Sequence, residues 1–204
     1  MKIDYLKLMQ ERSSKKSYIN KIVSKKDLEY ILECARLSPS SLGLEPWKFL
    51  VFQSQEKKEE ISKIAYNQTH VAQCSAIIII IARADFANYF KEKIKSRKVN
   101  EEVFNKIITT YTPFIENMSL EQKFIYAKEQ SYIALANIIN AAHSLNLGSC
   151  AIGGFDKNQI NQYLKLDTNK ERVSLLVTLG YTNTNDTKPQ KIRFNFDEVV
   201  EFKD

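Results

Sequence analysis

The stretch LEQKFIYAKEQSYIALANIINAAHSL, residues 120–145, decides how the rest of the chain must be arranged. Ile133, Ala134, Ala136, Asn137, Ile138 and Ala141 spread apolar and small side chains around more of the cylinder than a surface helix carries. The stretch therefore predicts a buried central helix. Gly148 is expected to close it, as glycine does just past helix ends. On the C-terminal side follow a short strand at 149–152, a bend at Gly153-Gly154 and a helix capped by Asp156 that runs to about Leu164. A further core strand covers 172–180. On the N-terminal side, 76–82 contains five consecutive isoleucines. That run is far shorter than the roughly 20 residues that span a bilayer, and it reads as a central strand.

Farther out, 47–52 reads as a strand and 56–65 as a helix. Ser24, with Asp27 three residues on, predicts a capping box. It opens a helix along Leu28, Ile31, Leu32 and Ala35, which must stop before Pro39. Residues 38–46 form a loop punctuated by glycine and proline, with room for one helical turn; 4–11 form a first helix and 16–18 an extended segment. The charged, weakly periodic stretch 86–117 reads as helical. Helices and strands alternate irregularly, which favours an α+β or mixed α/β layer fold over a doubly wound one. No G-x-G-x-x-G follows a strand, so any nucleotide is bound in another way. The 204 residues read as a single domain. From about 181 to 204 runs a polar tail containing Pro189 and ending in the apolar stripe Phe194, Phe196, Val199, Val200 and Phe202. Such a stripe needs a surface to cover, and a partner subunit is the natural one.

Composition narrows the class. A hydrophobic share of 44% with 26% charged residues and no low-complexity tract is ordinary for a globular protein, so disorder is not the default. Asp4, Lys7, Gln10 and Glu11 interrupt any signal-peptide core, and Cys34, Cys74 and Cys150 are odd in number without a C-x-x-C pair. A cytoplasmic protein without a membrane segment or a metal is expected. The net charge of +6 could serve nucleic acid, yet the pairs Lys15-Lys16, Lys25-Lys26 and Lys57-Lys58 mostly have acids close behind. The densest basic run, 91–98, reads as a solvated helix face, and no basic stripe is interleaved with stacking aromatics. The partner class is a phosphate-bearing small molecule rather than nucleic acid.

Four segments carry candidate chemistry. Arg12-Ser13-Ser14-Lys15-Lys16 offers cations and hydroxyls to an anion, or is a solvated basic turn. Residues 38–47, SPSSLGLEPW, offer serine hydroxyls and loop amides to a ring or phosphate, or merely connect helix to strand. Residues 152–156, IGGFD, let backbone approach a ligand closely, or make a plain turn. Lys191 and Arg193 alternate along an extended tail, so both face one side, as a ligand grip or a solvated edge.

In this order and spacing the four segments resemble the FMN-dependent nitroreductase family, over about residues 5 to 200. The most specific matches are R-x-S-x-K at 12–16 and S-P-S-S-x-x-x-x-P-W-x-F at 38–49, joined by I-x-G-F-D at 152–156 and K-x-R at 191–193. The resemblance implies a central, mostly antiparallel sheet flanked by helices, a long buried helix, and a C-terminal extension reaching the partner of a homodimer. It implies tightly bound FMN at the dimer interface, with Arg12, Ser13, Ser14, Lys191 and Arg193 around its phosphate and ribityl chain and Lys16 beside the pyrimidine edge. Asn67 and His70 would meet the ring, and Ile152, Gly153 and Gly154 would face its N5 and O4 edge. Pro39, Ser40, Ser41 and Gly43 would arrive from the other subunit.

Several positions depart from the commonest family pattern. Ser13 stands where many members carry histidine, and Gly43 replaces an asparagine. Gly153 replaces a glutamate, and His70 stands for a second lysine, as a partial, pH-dependent charge or a helix-surface histidine. Cys150 reads as a small buried thiol and His143 as structural. The implied reaction is ping-pong: NADH or NADPH reduces the flavin at N5, and an electron-poor nitro compound or quinone then takes two electrons. No side chain is expected to act as acid, base or nucleophile; Lys16 and His70 would help electrostatically. The rivals are a flavin enzyme of the same fold with another acceptor (enone reduction, dehalogenation), a non-catalytic flavin-binding protein and a basic interaction protein.

Overall fold

A computed structural model describes residues 4–183 and 190–203; Pro189 and the tail segment around it lie outside the described residues. Four strands form one sheet: β1 (Trp47–Phe52), β2 (Ala76–Arg83), β3 (Gly148–Ile152) and β4 (Glu171–Gly180). Their order is β1-β2-β4-β3, and every neighbouring pair is antiparallel. The helices are α1 (Tyr5–Glu11), α2 (Lys25–Arg36), α3 (Gln55–Ile64), α4 (Thr69–Gln73), α5 (Phe86–Lys95), α6 (Glu101–Glu116), α7 (Leu120–Ser144), α8 (Lys157–Tyr163) and α9 (Phe196–Val199). A short 3-10 turn, Ser41–Gly43, precedes β1. The expected α+β architecture is the one observed.

β2 explains the layering. Ile77, Ile79 and Ile81 pack with Ile61, Val71 and Ile160 on one face of the sheet. Ile78 and Ile80 pack with Ile31, Ile138 and Ala142 on the other. Both faces of the strand are dry, which is why its sequence shows no polar alternation. Against β4 the register shifts between Ile80 and Ile81.

α7 departs from the expected all-round burial. Ala127, Ala134, Leu135, Ile138 and Ala142 face the core, but Ile125, Tyr132 and Ile133 are 57%, 46% and 38% exposed, and Ala136 is exposed beside them. Its apolar excess marks a second surface, not a second core. Nor does Gly148 end this helix. Leu145 is the C-cap and Asn146 takes the left-handed conformation at φ 58°. Gly148 sits inside the sheet opposite Gly180.

The stretch 86–117 resolves into α5 and α6. Lys98 (φ 54°) turns the chain between them and the Asn100 side chain caps α6. Of α6 only Ile115 is buried, with Phe86, Phe90 and Ile94 of α5, which accounts for the weak periodicity. The Ser24 hydroxyl caps Asp27 N as expected, but the Asp27 carboxylate accepts from that hydroxyl rather than from the Ser24 amide. In the tail Phe194, Phe196, Val199 and Phe202 are all exposed.

Gly180 is held to its size by Tyr18. A Cβ there would lie 2.7 Å from Tyr18 Cδ1 and 3.2 Å from Ser75 N. The ring has little room to yield, because Tyr18 Oη donates to Lys15 O at 2.8 Å and lies 2.7 Å from Thr178 Oγ1. Gly180→Ala is expected to lower stability by about 1–3 kcal/mol, as overpacked sites do, and a urea titration unchanged from wild type would refute this.

Candidate functional site

The site begins at the outer edge of β3. Lys15 N donates to Ser149 O at 2.9 Å, and Ser14 pairs with Ser149 in a parallel bridge. Gly148 permits that approach, since a Cβ there would sit 3.0 Å from Lys15 Cβ and overlap Thr182. Side chains then alternate along the extended segment. Ser13 and Lys15 line a cleft of about 260 Å³ with Arg12, His143 and Thr182. Ser14 and Lys16 point the other way: both act to lower the Cys150 pKa, and the Lys16 charge acts on His70 as well. The five-residue basic segment is thus divided, and Ser13 is parted from Ser14.

At the far end of β3 the Ile152 side chain is 4% exposed and belongs to the core, so only its backbone is left for a ligand. Gly153 has nothing within 4 Å of where a Cβ would stand, and the nearest atom to that of Gly154 is Gln68 Nε2 at 3.7 Å. Neither glycine is required by packing. Gln68 Nε2 donates to Gly154 O at 2.8 Å and to Ala65 O at 3.0 Å, tying this turn to the loop after α3. In that loop Tyr66 and Asn67 both take φ 56°, and Asn67 is exposed.

His70, on α4, is only 5% exposed, and its Nε2 is buried without a partner. Burial first and the Lys16 charge second push its pKa down. It is therefore not a surface histidine, and its surroundings favour the neutral form. Cys150 is 5% exposed, as expected of a buried thiol. Burial raises its pKa, against the lowering effects of Lys16 and Ser14.

The two ends of the chain converge. Lys191 Nζ donates to Arg12 O at 2.7 Å and also to Met9 O. Desolvation, then Arg12 and Arg193, hold the Lys191 pKa below its ordinary value. Among the described residues no acid pairs with Arg12, Lys191 or Arg193.

The 38–43 loop is elsewhere, seated on α7. Ser41 N donates to Gln130 Oε1 at 2.8 Å, and Asn137 Nδ2 donates to Ser38 Oγ at 2.7 Å. Ser40 Oγ accepts from Glu45 N at 2.8 Å, Gly43 has φ 53°, and Pro39 and Ser41 are exposed. No hydrogen bond or ion pair among the described residues joins this loop to the Arg12, Lys16 or Gly153 group of the same chain. Sequence reasoning missed Gln68, Gln130 and Asn137, because a polar residue on a helix or loop carries no local signal of its distant partner. Among the described residues no cluster of His, Cys, Asp or Glu could hold a metal, and no helix is long and apolar enough to cross a membrane.

Residues 9–181 match the model of the nitroreductase family. A Haemophilus influenzae protein provisionally named an NAD(P)H nitroreductase is 36% identical, over 97% of this chain and 95% of its own length. The structure of a Streptococcus pneumoniae nitroreductase family protein superposes with a TM-score of 0.84 at 27% identity, covering 98% of this chain and all of the other. An Exiguobacterium sibiricum structure, described as a nitroreductase in complex with FMN, shares the fold with a TM-score of 0.86 at 22% identity, over 100% of this chain and 99% of the other.

The buried neutral imidazole has a pH signature. A depressed folded pKa means that His70 contributes stability above its unfolded value of about 6.5 and loses it as the pH falls through the lower folded value. Melting temperatures measured from pH 7.5 to 5 are expected to fall more steeply for wild type than for His70→Gln. Parallel curves would contradict the assignment.

Proposed function

This chain belongs to the nitroreductase family, a family of oxidoreductases, and from that premise we propose that it passes two electrons from NADH or NADPH to nitro compounds or quinones, with tightly held FMN shared between two copies. The observation that carries this reading is the gathering of Arg12, Lys191 and Arg193, none of them paired with an acid among the described residues. Like charges held together favour an anion between them, and a phosphate monoester is the group that guanidinium and ammonium donors satisfy best.

The residues present fit FMN. Arg12, Ser14, Lys191 and Arg193 would hold its phosphate and ribityl chain, and Lys16 would supply a fixed positive charge at the pyrimidine edge. His70 Nε2, orphaned and buried, fits a polar ligand atom better than any protein partner it has. Gly153 and Gly154 leave backbone open to the ring, with Asn67 beside them. FMN, when bound, supplies a two-electron carrier that serves donor and acceptor in turn. The side chains bind, orient and set the local charge; none is placed to act as acid, base or nucleophile.

The 39–43 loop would complete the site of a second copy. The exposed stripe of α7 and the exposed apolar side chains Phe194, Phe196, Val199 and Phe202 of the tail suit the interface that brings two such domains together. Three unpaired cysteines suit a reducing cytoplasm.

Purified protein should carry flavin absorbance that NADH or NADPH bleaches without oxygen and a nitroaromatic or quinone restores. Protein that neither carries nor takes up FMN would refute the reading, and colour that no donor bleaches would reduce it to passive binding. Arg12→Ala is expected to weaken FMN binding by about tenfold to a hundredfold, the scale of one lost charge-assisted hydrogen bond, as read by flavin fluorescence. Ile133→Glu should shift the protein toward monomer in sedimentation and release FMN with it; an intact dimer would exclude the α7 stripe from the interface.

A further inference from the structure

We propose that Gln130 and Asn137 are positioning residues for the flavin site of the other subunit. This rests on the two-chain reading above and adds the means by which it is built. Gln130 and Asn137 are spaced i and i+7, so one face of α7 presents both to the 38–43 loop. The adjoining face carries Ile125, Glu129, Tyr132, Ile133 and Ala136, all exposed. Docking that face on a second copy delivers the loop, already shaped, to the partner.

The loop needs such support. Leu42 and Gly43 both take left-handed backbone, φ 52° and 53°, which a leucine adopts only where its surroundings impose it. Ser41 N, at the start of the 3-10 turn, has no acceptor within that turn, and Gln130 Oε1 supplies one at 2.8 Å. Asn137 fixes the other end through Ser38, which is 5% exposed and also bonds Cys34 O. Neither amide touches the Arg12 and Gly153 group of its own chain. Their effect on flavin is therefore exerted across the interface.

The test is subunit complementation. Gln130→Leu removes the acceptor at similar size and should weaken FMN binding by about tenfold, the scale of one lost hydrogen bond. Gln130→Glu, which keeps an acceptor oxygen, should restore most of the affinity. Asn137→Leu provides an independent variant should the first fail to fold. A doubly tagged heterodimer of one Gln130→Leu chain and one Arg12→Ala chain then separates the two sites. Acting in trans, the two defects fall on the same site and leave the other whole, so one FMN per dimer should bind with wild-type affinity. Two equally weakened sites, or a Gln130→Leu homodimer that holds FMN like wild type, would overturn the proposal. Failure of the wild-type protein itself to take up FMN would instead remove the reading on which it rests.

Discussion

Burial of β2 on both faces is the constraint from which the rest follows. Its five isoleucines are fully buried, alternately in two separate clusters. A side chain of this size contributes about 1.5–3 kcal/mol when removed from water, so neither face can be left open and each requires a helical layer. α2 and α7 cover one face, while α3, α4 and α8 cover the other. With layers fixed above and below, the sheet can meet ligand or partner only at its rim. There the ends of β3, the loop after α3 and the N-terminal segment come together, through the Ser14–Ser149 bridge and the Gln68–Gly154 hydrogen bond.

Much of this frame was legible in the sequence, for reasons that differ between elements. β2 declares itself by composition, and α2 by the Ser24 cap, the period of Leu28, Ile31 and Ala35, and the proline that follows. α6 was poorly marked because it buries so little, and periodicity exists only where burial selects it. α7 was legible as a helix but not in its surroundings. An apolar side chain reads the same whether a core or a second chain covers it. The left-handed residue after α7 was misassigned to Gly148 because Asn146 can adopt that conformation too, while the glycine answers a crowding between Lys15 and Thr182 that no local pattern announces.

The site was legible as residue types and not as partners. The cations were visible, but the net charge of +6 could not say which of them mattered. Geometry sorts them. Lys25, Lys48, Lys57, Lys93 and Lys170 each stand within 4 Å of a carboxylate, in largely exposed pairs of the kind worth little to stability. Among the described residues Arg12, Lys191 and Arg193 have no such neighbour, and Arg12 and Arg193 both press their charge on Lys191. An anion held among the three, as proposed above, would offset that repulsion. Basicity in this protein is informative in its unpaired remainder.

His70 shows how the same logic sharpens the electrostatics of the pocket. A second lysine at that position would add a second permanent charge beside Lys16. An imidazole that is buried and pressed by the Lys16 ammonium is held toward its neutral form instead, so Lys16 would supply the fixed charge at the edge proposed for the ring. A cation favours whichever redox state carries the more negative charge, and about 1.4 kcal/mol of such preference moves a two-electron couple by roughly 30 mV. With FMN bound as proposed, a neutral histidine in place of a lysine would lower the drive toward reduced flavin while leaving a nitrogen, Nε2, without a protein partner. On the proposed reading, recognition would fall to His70 and redox tuning to Lys16.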